Sequence, residues 1–137
     1  MSDPILSTDQ IQKALLLYLQ SKSTITAVVS ADEIREAEYQ GTEFTYPNIR
    51  LRITENIPTY KSCYQDFELR VTSFSEEASS LEVQQITGII TRELHGKGFS
   101  SNNLAFTMSL LRTLPPVRSE RQTWREEIHL RGTVSNG

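Results

Sequence analysis

Between Asp66 and Gly98 the hydrophobic period of the chain changes once, from two residues to about 3.6, and the elements on either side of that change organise the rest. Phe67, Leu69 and Val71 alternate with Glu68, Arg70 and Thr72, the pattern of a strand with one buried face. From Ser79 to Leu94, at about 100° per residue, Val83, Ile86, Thr87, Ile90 and Leu94 fall within one arc, with Ile89 at its edge. Gln84, Gln85, Thr91 and Arg92 occupy the far side. Gly96 is a natural left-handed cap, and Arg92 and His95 suit the negative end of the helix dipole. The pattern predicts a strand, then a helix lying back over the sheet.

The same periods place the other elements. Ser7 and Gln10 form a capping-box pair, and Ile11, Ala14, Leu15, Tyr18 and Leu19 make the inner stripe of a helix ending near Ser21. Asn48 to Thr54 alternates, with Ile49, Leu51 and Ile53 on one face and Arg50 and Arg52 on the other. Glu55 to Tyr60, with Pro58, makes a turn into a second strand over Ser62 to Ser73, antiparallel to the first. After the long helix, Phe99 to Asn103 reads as a polar turn. Leu104, Phe106, Met108 and Leu110 mark a third strand stopped by Leu114-Pro115-Pro116, and Trp124, Ile128 and Leu130 mark the inner face of a last strand ending near Val134.

Lys22 to Tyr46 carries the weakest signal. Ile25 to Val29 fits either a short strand or a helix tail, Asp32 to Tyr39 has no period, and Gln40 to Thr45, near Gly41 and Pro47, reads as a loop. The expected fold is α+β, a four-stranded antiparallel sheet with helices packed on one face in the order α-β-β-α-β-β. It forms one domain over residues 1–137, with loose ends at about 1–6 and 135–137.

Composition narrows the function classes. With 37% apolar and 23% charged residues and no apolar run of roughly 18, the chain reads as an ordinary globular domain with no membrane partner. The opening Met-Ser-Asp-Pro-Ile-Leu lacks the basic and apolar regions of a signal peptide, which predicts intracellular synthesis. A net charge of -3, from 14 basic and 17 acidic residues, gives no general attraction to phosphate backbones.

Candidate chemistry is sparse. A nucleophilic triad would have to use His95 or His129, yet His95 sits in the last turn of a helix and His129 on the charged side of a strand. Cys63, the single cysteine, has no neighbour that would depress its thiol pKa. In His95-Gly96-Lys97-Gly98 the glycines follow a helix instead of leading into one, so capping explains them better than a phosphate loop. Glu126 and Glu127 fall on opposite faces of their strand, and Glu76 and Glu77 favour the positive end of a helix. No spacing suits a metal, so no enzyme, cofactor or metal is expected. By parity the outer sheet face carries Arg50, Arg52, Asp66, Glu68, Arg70, Thr107, Arg125, Glu127, His129 and Arg131. Lacking an aromatic platform, it suits cross-strand ion pairs or a polar protein contact better than stacked bases.

Several positions point to assembly. Leu16 and Leu17 lie outside the inner stripe of the first helix on opposite flanks; either the helix is sunk in its own core or a second chain covers one flank. Leu81 and Gly88 lie on the polar side of the long helix, where a glycine costs about 1 kcal/mol relative to alanine and can admit a close neighbour.

The leading helix, the Arg-rich strand after Tyr46-Pro47, the stretch FELRVTSFSEEASSLEVQQITGIITRELHGKGF and the closing WREEIHLRGTV resemble the small tail-terminator, or tail-completion, proteins of long-tailed phages. The resemblance runs from Ser7 to Val134 and is thinnest over Lys22 to Tyr46. It implies a virion structural protein at the head-proximal end of the tail, assembled in the host cytoplasm. There it forms a homo-oligomeric ring, commonly a hexamer, that caps the tail tube, terminates its polymerisation and joins it to a head-side connector or neck protein. A sheath protein is a further partner where the tail contracts, and DNA passes through the ring lumen without sequence-specific reading. By position, the loop Pro115 to Gln122 with Arg118 and Arg121, and the loop Gln40 to Thr45, are candidates for contacts above or below the ring. The expected subunit or partner surface comprises Leu16, Leu17, Arg50, Arg52, Leu81, Gly88, Arg118, Arg121 and Arg131. Another phage neck, connector or baseplate component, or a non-phage α+β protein-binding domain, are the alternatives.

Overall fold

The computed structural model describes residues 6–37, 45–57, 64–77, 79–118 and 123–136. In chain order they form α1 (Thr8–Ser21), α2 (Ser23–Thr26), a 3-10 turn (Ala31–Glu33), β1 (Ile34–Glu36), β2 (Asn48–Ile57), β3 (Tyr64–Ser75), α3 (Leu81–Leu94), β4 (Gly98–Ser101), β5 (Leu104–Thr113), β6 (Val117–Arg118) and β7 (Trp124–Asn136). The class is α+β, but the sheet is not the expected four-stranded antiparallel one. It is a curled, mixed sheet in the order β1-β2-β3-β7-β5-β4, with β6 also paired to β7 and β1 parallel to β2.

The four anticipated strands are its centre. β3 and β7 pair antiparallel from Tyr64 opposite Ser135 to Ser75 opposite Trp124, so β7 continues past Val134 through residues read as a loose end. The additions sit at the edges, and each lacks a strand-length period. β1 is three residues long, too short to show alternation, and directly follows the 3-10 turn Ala31–Glu33. It is held by Ala37 N–H donating to the Leu51 carbonyl at 2.7 Å. β4 falls where a polar turn was expected, because three of its four residues are Gly or Ser. Its single large side chain, Phe99, stacks on Tyr18 at 3.8 Å and on Phe106 at 5.2 Å between ring centroids. Asn102 and Asn103 at φ 52° and 67° make the left-handed two-residue turn that returns the chain as β5.

Both helix stripes are buried as their periods predict: Ile11, Ala14, Leu15, Tyr18 and Leu19 on α1, and Val83, Ile86, Thr87, Ile90 and Leu94 on α3. Full burial of each large aliphatic side chain contributes about 1.5–3 kcal/mol. At the start of α1 the Gln10 side chain accepts the Ser7 N–H at 2.9 Å. α3 packs on β3, β5 and β7, whereas α1 touches β1, β2 and β4, elements from both ends of the sheet path. The Gln12 amide ties α1 to one end, donating to Glu36 at 2.9 Å and accepting the Ile53 N–H at 3.3 Å; Ser101 Oγ ties it to the other, donating to the Ala14 carbonyl at 2.7 Å. Gly96 adopts φ 72°, as its capping position requires. At the C-cap of α3, His95 also makes a tertiary link that the sequence pattern did not announce: its Nδ1 accepts the Leu110 N–H at 2.8 Å, joining the end of α3 to β5.

The core is closed at its centre by a steric fit. Phe67 meets Phe106 edge-on at 5.9 Å, and a Cβ at Gly132 would lie 2.5 Å from Phe67 Cζ. Glycine is therefore required on β7, where alternation calls for an inward side chain. Glu126, one position outside the apolar run of the same face, is buried and receives the Thr87 hydroxyl from α3.

Candidate assembly surfaces

The residues singled out from the sequence divide among three places. On α1, Leu16 packs against the core, while Leu17 remains 43% exposed, so a solvent-facing apolar group survives on one flank only. On α3, Leu81 is 65% exposed, the most open of the large apolar side chains among the described residues. Gly88 stands seven positions on, two turns or about 10.5 Å along the same side. A Cβ built at Gly88 meets nothing within 4 Å, so the subunit's own packing does not require glycine there.

The third place is the sheet face turned away from the helices. Arg50 lays its guanidinium over the Phe74 ring at 4.4 Å; partial burial lowers its pKa, and Tyr46 offsets only part of that lowering. Arg52 and Arg131 are exposed on the same face, and Arg131 meets Asp66 at 3.9 Å. Glu127 sits 2.7 Å from His129 Nε2 and 3.8 Å from Arg70 Nε. Such half-exposed pairs orient side chains and contribute little to stability.

Arg118 lies on β6, exposed and opposite Trp124 in register, not in an irregular loop. Arg121, Cys63 and positions 40–44 of the Gln40 to Thr45 loop fall outside the described residues. The structure does not bring the three places together within one subunit: helix flank, helix terminus and sheet face sit on separate elements. Sequence reasoning passed over an apolar corner where β5 leads into β6. There Leu111, Leu114 and Val117 are 42%, 39% and 49% exposed, and a small cleft of about 90 Å³ is lined by Leu114, Pro115, Val117, Arg125 and Glu127. Its signal was the run of apolar residues continuing through the Pro115-Pro116 stop.

Among the described residues no group of three or more His, Cys, Asp or Glu is placed to hold a metal ion, and no helix is long and apolar enough to cross a membrane. The histidines are occupied by a backbone amide and by a carboxylate.

No family model matches the chain, and no curated protein matches it in sequence. Solved structures do match in fold. A chain from the virion of a native gene transfer agent particle superposes with a TM-score of 0.73 at 13% identity, covering 94% of this chain and 98% of that one. A second solved chain superposes with a TM-score of 0.66, also at 13% identity, covering 95% and 96%. Each likeness in fold thus runs along nearly the full length of both chains compared.

Proposed function

We propose that this chain is a structural protein of a phage-like particle, forming a ring that caps the tail tube, terminates its polymerisation and joins it to the head-side connector. The observation that carries the reading is the end-to-end fold likeness to a chain of a gene transfer agent virion. Exposed apolar groups on unrelated elements, Leu17, Leu81 and the Leu111–Val117 corner, support it, because a head-to-tail ring buries different patches on its two sides. The partners are copies of the chain itself, in a hexamer, together with tube, connector and, in a contractile tail, sheath proteins. The work is done by matching of shape and charge, and no reaction is assigned.

Native mass spectrometry and negative-stain imaging test the ring. Six copies around a central hole are expected, and a monomer both alone and with tube ends would overturn the reading. The same likeness fits a neck component that joins but does not terminate. Removing the gene separates the two: overlong tubes mark a terminator, whereas tubes of normal length left unattached mark a joining protein.

A further inference from the structure

Along β5, Leu104, Phe106, Met108 and Leu110 face the core, and simple alternation would send Arg112 the same way. The bulge between Leu110 and Arg112 prevents it. Leu110 stands opposite Leu130, but Arg112 stands opposite His129, and directly opposed residues share a face. Arg112 is thereby turned to the side away from the helices, where it is exposed.

There it completes a row across four strands. Arg52 on β2 is opposite Arg70 on β3, Arg70 is opposite His129 on β7, and His129 is opposite Arg112 on β5. At about 4.8 Å per strand, the row is about 14 Å long. The rows next to it on one side bring Arg50 and then Arg125 to the same face, with Glu127 as the one carboxylate among those rows of the four strands. The outward carboxylates Glu55, Asp66 and Glu68 lie beyond the row on its other side, where Asp66 is engaged by Arg131. A chain with a net charge of -3 thus gathers five arginines at one end of one face.

Like charges set directly opposite one another destabilise a sheet; Glu127, 3.8 Å from Arg70 Nε and 2.7 Å from His129 Nε2, offsets part of that cost at the centre of the row, and Arg50 beside it is braced on Phe74. We infer that the row is a docking strip for the phosphate backbone of a nucleic acid, held without regard to base sequence. Arginine forks match phosphate oxygens, and a series of them at strand spacing follows a line of charge. The four positions include no apolar anchor of the kind that fills the centre of a protein interface. The strip gives the DNA of the ring reading a surface to meet, yet it needs only a single subunit.

The test uses the full chain and a fluorescein-labelled random-sequence duplex of about 20 base pairs, followed by anisotropy from about 50 to 200 mM NaCl. Replacing Arg52, Arg70 and Arg112 with Gln together is expected to weaken binding at least roughly tenfold at the lowest salt, and to flatten the log–log salt dependence by about three. Arg92→Gln, on the exposed side of α3, should change neither, and circular dichroism checks that the triple variant is folded. If it is not, Arg112→Gln alone should flatten the slope by about one. Wild-type binding that survives the triple substitution, or a wild type that ignores DNA, overturns the strip. Loss of poly-glutamate binding in the triple variant, with no DNA binding by the wild type, would assign the row to an acidic protein instead. A monomer that binds DNA through these arginines would remove the ring and leave the strip standing.

Discussion

Along β3 the odd-numbered side chains Phe67, Leu69, Val71, Ser73 and Ser75 are buried against the helices, while the even-numbered Asp66, Glu68, Arg70, Thr72 and Phe74 keep contact with solvent. The two sets share one backbone and one register, yet they answer to different constraints. The inner set is fixed by volume: at Gly132 a single added carbon is refused by Phe67. The outer set is half-exposed and tied by looser contacts, Arg70 beside Glu127 and Phe74 under the Arg50 guanidinium, and on the docking-strip proposal it is the spacing of the arginines that matters there. Changes to the inner face should therefore alter stability first, and changes to the outer face or to the outward side of α3 should alter binding first.

The largest effect expected is from Phe67→Ala, which opens the centre of the core and should lower unfolding free energy by about 3–5 kcal/mol in urea titration. A loss below about 1 kcal/mol would mean that the inner face is not held by this fit. Gly132→Ala should cost about 1–3 kcal/mol by overpacking, and combining it with Phe67→Leu should recover part of that loss through their contact. Gly88→Ala should raise stability of the isolated chain by about 1 kcal/mol, since the added methyl has open space and alanine is the better helix former. If Gly88 instead admits a neighbouring subunit, the same variant should assemble less well on native mass analysis. The smallest change in stability, within about 0.5 kcal/mol, belongs to Leu81→Lys and Arg70→Gln. Leu81→Lys should nevertheless abolish assembly, and an unchanged oligomer would take α3 out of the subunit interface.

The contrast also explains how much was legible in the sequence. α1, α3 and the four long strands were readable because each buries one face over two or more periods, so burial writes a repeating pattern. β1 buries Ile34 and β4 half-buries Phe99, and a pattern cannot form from one repeat. The Asn102-Asn103 pair was the available sign of a hairpin before β5, since asparagine tolerates positive φ. The candidate surfaces were legible only as residues out of place. Leu81 and Leu17 proved exposed, Leu16 proved half-buried against the core, and Arg112 was hidden from any alternation argument because a bulge shifted its phase.

The position of β7 has a consequence for timing. It lies between β3 and β5, and its partners on β3 stand 49 positions earlier in sequence at Ser75–Trp124 and 71 earlier at Tyr64–Ser135. Until Trp124 to Asn136 has left the ribosome, one edge of β3 has no paired strand and the carboxylate partner of Thr87 on α3, Glu126, does not exist. Such long-range pairing folds slowly, and it folds all together. A nascent chain therefore cannot offer a finished sheet or α3 face early, and on the ring reading proposed above subunits should enter assembly from a pool of folded chains, each competent on every surface at once.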